Sequence, residues 1–166
     1  ISLDEYFNLN FDPGVIELFR DICGLSEEEM RQEELYWQEY VRTRIPKAYE
    51  GIREILERFR QEGGLICVDS HSYSQYIRRD YSCNHLPEPD LIFGWECPPE
   101  ERKPSVRSLE VIMKTFGYAP EELLVVDDLK PGYDMAKAAG VPFAAAGWAN
   151  DIEEIERFMR ENCGLY

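Results

Sequence analysis

Near residue 49 the rhythm of apolar positions along the chain changes, and with it the kind of structure predicted. Upstream, apolar residues recur at helical spacing and no segment reads as a convincing strand. Val15, Ile16, Phe19 and Ile22 mark one helix, with Asp12-Pro13 as N-cap and first-turn proline and Gly24 at its end. Ser26 and Glu29 form a capping box for a second helix. That helix carries Met30, Trp37 and Val41 near one stripe, with Tyr36 and Tyr40 beside it, a pattern that reads as packing. Downstream, helices and short apolar runs alternate. Ile52, Ile55, Leu56 and Phe59 line a strongly amphipathic helix stopped by Gly63-Gly64. Leu65 to Val68 reads as a strand, a helix follows through Tyr76 and Ile77, and residues 90–93 form a second strand. Lys103-Pro104 opens a helix with Val106, Leu109, Ile112, Met113 and Phe116 on one face. Leu123 to Val126 is an unbroken apolar run, predicted as a strand buried on both faces. A Pro-Gly turn at Pro131-Gly132, an Ala-rich helix closed by Gly140, a strand over 141–146 and a last helix with Ile152, Ile155, Phe158 and Met159 inward complete the chain. Such alternation predicts an α/β fold with a doubly wound parallel sheet, 47–166, preceded by a small helical subdomain, 1–46.

Charge narrows the partners. The 166 residues carry a formal charge of -15, which repels phosphate backbones and argues against nucleic acid or an anionic membrane as partner. A small phosphorylated molecule could still bind where a metal and a lysine reverse the local field. No run reaches membrane-spanning length, and no signal peptide is visible. The 5 cysteines are odd in number and lack a CxxC pair, so a cytoplasmic, reducing setting is expected. Cys83, His85 and Cys97 match no common zinc-site spacing.

Three polar points then stand at comparable places: Ser70 after one strand, Lys103 at a helix start, and Asp127-Asp128 after another strand. In open α/β sheets, ligands bind beyond the carboxyl ends of the strands. A solvated turn needs one capping aspartate; two in succession after Val125-Val126 favour a hard cation such as Mg²⁺. A hydroxyl, a fixed cation and a metal cradle are what holding a phosphoryl group requires. A phosphotransfer receiver domain also uses an acidic pair and a lysine, but there the acids come first, whereas Lys103 precedes Asp127 here.

With these residues in place, the chain resembles the haloacid dehalogenase-like hydrolase superfamily, in its phosphoglycolate phosphatase and β-phosphoglucomutase-like branch. The likeness covers residues 48–149, and the helical front end resembles that branch's cap domain. Ser70, closing GGLICVDS, matches the phosphate-binding second motif, with His71 beside it as a substrate-side, phosphate-binding or capping residue. Lys103-Pro104 matches the third, in which lysine steadies phosphate and nucleophile. LLVVDDLKPGYDMAKAAG matches the fourth, where Asp128, helped by Asp127, holds Mg²⁺. The resemblance implies a Rossmann-like core and a Mg²⁺-dependent phosphomonoester phosphatase working through an aspartyl-phosphate. A non-catalytic binding module or a phosphomutase of the same fold are the alternatives. The family's first motif, a strand ending in Asp-x-Asp that supplies the nucleophile, is not matched. Asp12 has Gly14 two residues on, and adopting Asp69 would cost the second-motif serine. The expectation is therefore a fragment, inactive alone, whose parent carries about twenty further residues at its front, the reach of one strand and a loop.

Overall fold

A computed structural model describes residues 1–149 together with Arg157 and Glu161. It is a mixed α/β structure whose strands all pair in parallel. The last predicted helix, with Ile152, Ile155, Phe158 and Met159, lies outside the described residues. By its internal contacts the chain forms two compact units, one of residues 1–32 and 109–166, the other of residues 33–108. The boundaries fall inside two helices, and the segment 1–46 expected as a cap contributes to both units.

The first unit opens with α1 (Leu3–Leu9), started by a capping box between Ser2 and Glu5. The next helix does not begin at Asp12-Pro13. Asp12 is extended (φ -151°, ψ 118°), and the helix starts after Gly14, whose φ of 120° is closed to most side chains. This helix, α2, runs over Val15–Glu17 and on through Leu18–Ile22. Phe11, Gly14 and Leu18 are buried. Burial of Phe11 on one side of the break and Leu18 on the other outweighs the local proline signal. The capping box at Ser26 and Glu29 forms as predicted, Glu29 N–H donating to Ser26 Oγ at 3.3 Å and Ser26 N–H to Glu29 Oε2 at 2.8 Å. It starts α3 (Glu27–Thr43).

Later in the chain this unit holds most of α6 (Arg107–Phe116), then β3 (Val125–Asp127), α7 (Lys130–Ala139) and β4 (Phe143–Ala145). Leu109, Met135 and Val141 are its buried centre, packed by Ile112, Met113, Leu123, Val125 and Ala139. β3 pairs with β4, Val125 opposite Phe143 and Asp127 opposite Ala145. The run 123–126 is not buried on both faces, since Leu124 is 61% and Val126 51% exposed. Val125 N–H donates to Pro142 O and Asp127 O accepts from Ala146 N–H, so these residues face β4 and the peptide groups of Val126 face the other way. Among the described residues no strand pairs with that far side. Pro131 and Gly132 are not a turn either; they occupy the first turn of α7, where proline costs nothing because its missing N–H has no helical acceptor.

The second unit holds the rest of α3, then α4 (Ile52–Gln61), β1 (Cys67–Asp69), α5 (Ser74–Cys83) and β2 (Leu91–Phe93). β1 and β2 pair in register, Cys67 with Leu91 and Asp69 with Phe93. Trp37 of α3 meets Tyr73 and Tyr76, each at 6.3 Å between ring centres. Tyr36 and Tyr40, on the expected stripe's margin, are exposed. The Arg79 guanidinium closes the C-terminal end of α3, donating to the carbonyls of Val41 at 2.7 Å, Arg42 at 3.1 Å and Arg44 at 3.1 Å. α4 keeps its predicted span and its Gly63 stop, but Ile55 (63%) and Phe59 (48%), read as inward, are exposed.

Candidate active site residues

The unit of residues 33–108 presents Ser70, His71 and Lys103. Ser70 follows the last residue of β1 and extends the ladder, its N–H donating to Phe93 O at 2.9 Å. Its Oγ accepts the N–H of Ser72 at 3.1 Å, a serine turn that holds the hydroxyl at the strand end. Ser72 O in turn accepts the N–H of Trp95 at 2.9 Å, tying the loops after β1 and β2 together. Glu96, next to Trp95, takes the Ser74 N–H at 3.2 Å at the start of α5. Burial pushes the Glu96 carboxyl up, but the Ser74 bonds outweigh it and hold the group below the usual range.

His71 is half-buried, its ring edge-on to Trp95 with centres 5.8 Å apart. The Arg102 guanidinium lies over the same indole, 3.9 Å from its ring centre, and its Nε donates to Cys97 O at 2.8 Å. Lys103 follows directly, half-buried, ahead of α6, which begins at Arg107 rather than at Lys103-Pro104. Asp69, considered above as a nucleophile, accepts a short hydrogen bond from the buried hydroxyl of Ser108. That bond joins β1 to the start of α6, a structural task that its adjacent position in the sequence could not reveal.

The other unit presents Asp127 and Asp128. Asp127 closes β3, and Asp128 follows; both are half-buried. Asp127 Oδ1 accepts the N–H of Leu129 at 2.8 Å, which fixes the carboxylate against the entry to α7. Gly132 stands so close that any Cβ there would collide with the Asp127 side chain. Lys130 pairs with Asp134 at 2.6 Å, a hydrogen bond that raises its amino group above the usual range. Among the described residues no three His, Cys, Asp or Glu side chains cluster as a complete cage. Two aspartates on a tight strand-to-helix turn offer only hard oxygen donors, a set suited to Mg²⁺, which keeps several waters and takes one or two carboxylates. The tightness of the turn at Gly132 and the pairing of Arg102 with Trp95 escaped sequence reading. A glycine three residues into a helix, and an arginine next to the third-motif lysine, were their only signals.

A family model described as haloacid dehalogenase-like hydrolase matches residues 3–146. No curated protein matches significantly. Among solved structures, a predicted phosphoglycolate phosphatase from Haemophilus somnus 129PT superposes with a TM-score of 0.60 at 23% identity, over 73% of this chain and 55% of that one. The chain thus spans little more than half that protein's length. A protein from Bacteroides fragilis, described as a haloacid dehalogenase-like hydrolase, gives a TM-score of 0.70 at 24% identity, over 87% of this chain and 70% of its own. One from Thermotoga maritima, described as a β-phosphoglucomutase, gives 0.60 at 16% identity, over 98% and 84%. At these identities the structures speak for the fold alone, a Rossmann-like α/β core. With a family model covering most of its length, the chain belongs to the haloacid dehalogenase-like hydrolases.

Proposed function

We propose that this chain is the phosphate- and metal-binding part of a phosphatase that hydrolyses a small phosphomonoester through an aspartyl-phosphate, the attacking aspartate lying in a segment ahead of Ile1. The observation that carries it is the placement of the matched motifs. Ser70 and Asp127-Asp128 each sit at the carboxyl end of a parallel strand, where ligands bind in this class of sheet. In this reading the Ser70 hydroxyl and nearby N–H groups hold phosphate oxygens, with His71 beside them. Lys103 offsets their charge and steadies the nucleophile. Asp127 and Asp128 hold Mg²⁺, which when bound supplies positive charge against the transferring phosphoryl group. The helical front end, 1–46, serves as a cap over the substrate, and the setting is cytoplasmic. Partners are small phosphorylated metabolites.

The test is release of phosphate from an aryl phosphate by the protein carrying its upstream segment. Turnover should need Mg²⁺ and fall at least about a hundredfold in Lys103→Ala and Asp128→Ala, the scale of losing one electrostatic stabiliser. Undiminished turnover in both variants refutes the assignment.

A further inference from the structure

We propose that a cavity at the C-terminal end of α5 binds a free α-amino acid with an apolar side chain, its carboxylate on Arg78 and its ammonium group on Glu88. The proposal does not depend on the phosphatase reading above. The cavity has a volume of about 490 Å³, within the range of small-molecule sites, and is lined by Arg78, Tyr81, His85, Leu86, Glu88 and Pro89. All of these belong to the unit of residues 33–108. Within that unit the cavity lies away from Ser70. Ser70 follows the carboxyl end of β1, whereas residues 86–89 lead into the amino end of the parallel strand β2. α5, with 10 residues and so roughly 15 Å long, runs from one end to the other.

The walls are fixed before any ligand arrives, which lowers the cost of binding. α5 closes with His85 in the left-handed region, φ 55°, a place usually taken by glycine. His85 N–H donates to Ser82 O at 3.1 Å, and Leu86 N–H donates to Tyr81 O at 2.9 Å. The Asn84 side chain anchors this end, donating to Pro46 O at 2.9 Å and accepting the Ala48 N–H at 2.8 Å. On the other wall the Arg60 guanidinium donates to Glu88 O at 2.7 Å. Arg78 and Glu88 themselves stand 3.7 Å apart, too far for a hydrogen bond, whereas the pairs made by Arg42, Arg53, Arg58 and Arg60 close to 2.6–2.9 Å. A ligand can therefore engage both charges without breaking a hydrogen bond between them. Beside them Tyr81 and Leu86 are half-buried and Pro89 is buried, an apolar floor. Burial pushes the Tyr81 hydroxyl above its usual range, so the phenol adds no charge. One cation and one anion next to an apolar surface match a molecule with both charges at one end and hydrocarbon at the other. A ligand with a single charge would meet one of the two as a like charge. An extra anion would also be repelled by a chain of formal charge -15.

Titration of the full 166-residue chain, followed by its amide magnetic resonances, tests this with three probes. L-Phenylalanine carries both charges, 3-phenylpropionate only the carboxylate, and 2-phenylethylamine only the ammonium group. L-Phenylalanine should bind with a dissociation constant of about 1 mM, and each single-charge probe about fivefold more weakly, the worth of one exposed ion pair. Arg78→Met should bring L-phenylalanine down to the affinity of the amine, and Glu88→Gln down to that of the acid. Both positions are exposed, so the variants should melt as the native chain does. Equal binding of the three probes overturns the inference, as does an advantage for L-phenylalanine that survives both variants. Failure of L-phenylalanine to bind overturns it too, and each of these results leaves the phosphatase reading standing.

Discussion

Replacing Gly132 by alanine sets two effects of opposite sign against each other. In a helix, Gly→Ala ordinarily stabilises by up to about 1 kcal/mol, less within the first turn. Gly132 lies in the first turn of α7 and is buried, with no backbone obstacle to a side chain. Space is the obstacle. An ideal Cβ there would stand 2.6 Å from Asp127 Cβ, an atom that rotation of the aspartate side chain cannot move away. Relief therefore requires α7 to shift against the end of β3. Overpacking of this kind costs about 1–3 kcal/mol, so the net effect is a loss of about 1–2 kcal/mol. For a chain of this size that is about 2–8 °C in melting temperature. Thermal unfolding by circular dichroism measures it, with Ala138→Gly, exposed on the same helix, as the control for propensity alone. Because the shift displaces Asp127, the apparent affinity for Mg²⁺ should fall in the same variant. A Gly132→Ala chain that melts at or above the native temperature and titrates Mg²⁺ unchanged refutes the close approach and the role built on it.

Two further predictions concern pH. The Tyr73 hydroxyl donates to Glu34 and receives a bond from Gln38 Nε2 at 3.2 Å; burial first, then the Glu34 carboxylate, push its pKa up to about 12. Since the unfolded value is ~10, the stability this holds is intact below pH ~10 and is lost as pH rises toward the folded value. Denaturant titrations across that range, with tyrosinate absorbance, should show the loss, and Glu34→Gln should make it smaller while the Tyr73 ionisation itself moves to lower pH; ionisation of every tyrosine near the ordinary value contradicts it. Asp90 behaves in the opposite sense. Desolvation pushes its carboxyl up, but the N–H of Ile66 at 2.8 Å and the Arg60 guanidinium at 2.6 Å prevail and hold it below the usual range. Its contribution is therefore present above the unfolded pKa of ~3.9 and disappears as pH falls through the lower folded value. Asp90→Asn should flatten the acid limb of stability against pH, and an unaltered limb counts against the pairing.

What could be read from sequence was what is decided locally. The Ser26–Glu29 box is a three-residue interaction, and its helix begins where the motif says. The strand ends at Ser70 and Asp127 were legible because an apolar run stopping on polar residues is itself the signal. Burial was less legible, because it depends on what lies across space. Leu124 and Val126 are as apolar as buried strand residues, and only the three-dimensional arrangement reveals their exposure. Asp12-Pro13 carries a sound helix-start signal that lost to the packing of Phe11 and Leu18. The stacking of Arg102 on Trp95 joins residues in an irregular segment, where no periodicity points from one to the other.

The side of β3 that no strand pairs with among the described residues has a practical consequence. A row of peptide groups that no strand pairs with among the described residues, flanked by Leu124 and Val126, is a template for any extended peptide with apolar side chains. Concentrated samples will tend to cover it with one another, strand against strand, and a charged residue at position 126 would act as a gatekeeper against that growth. The same appetite makes this rim the natural place to graft a short designed peptide, joined by backbone pairing without any new side-chain pocket.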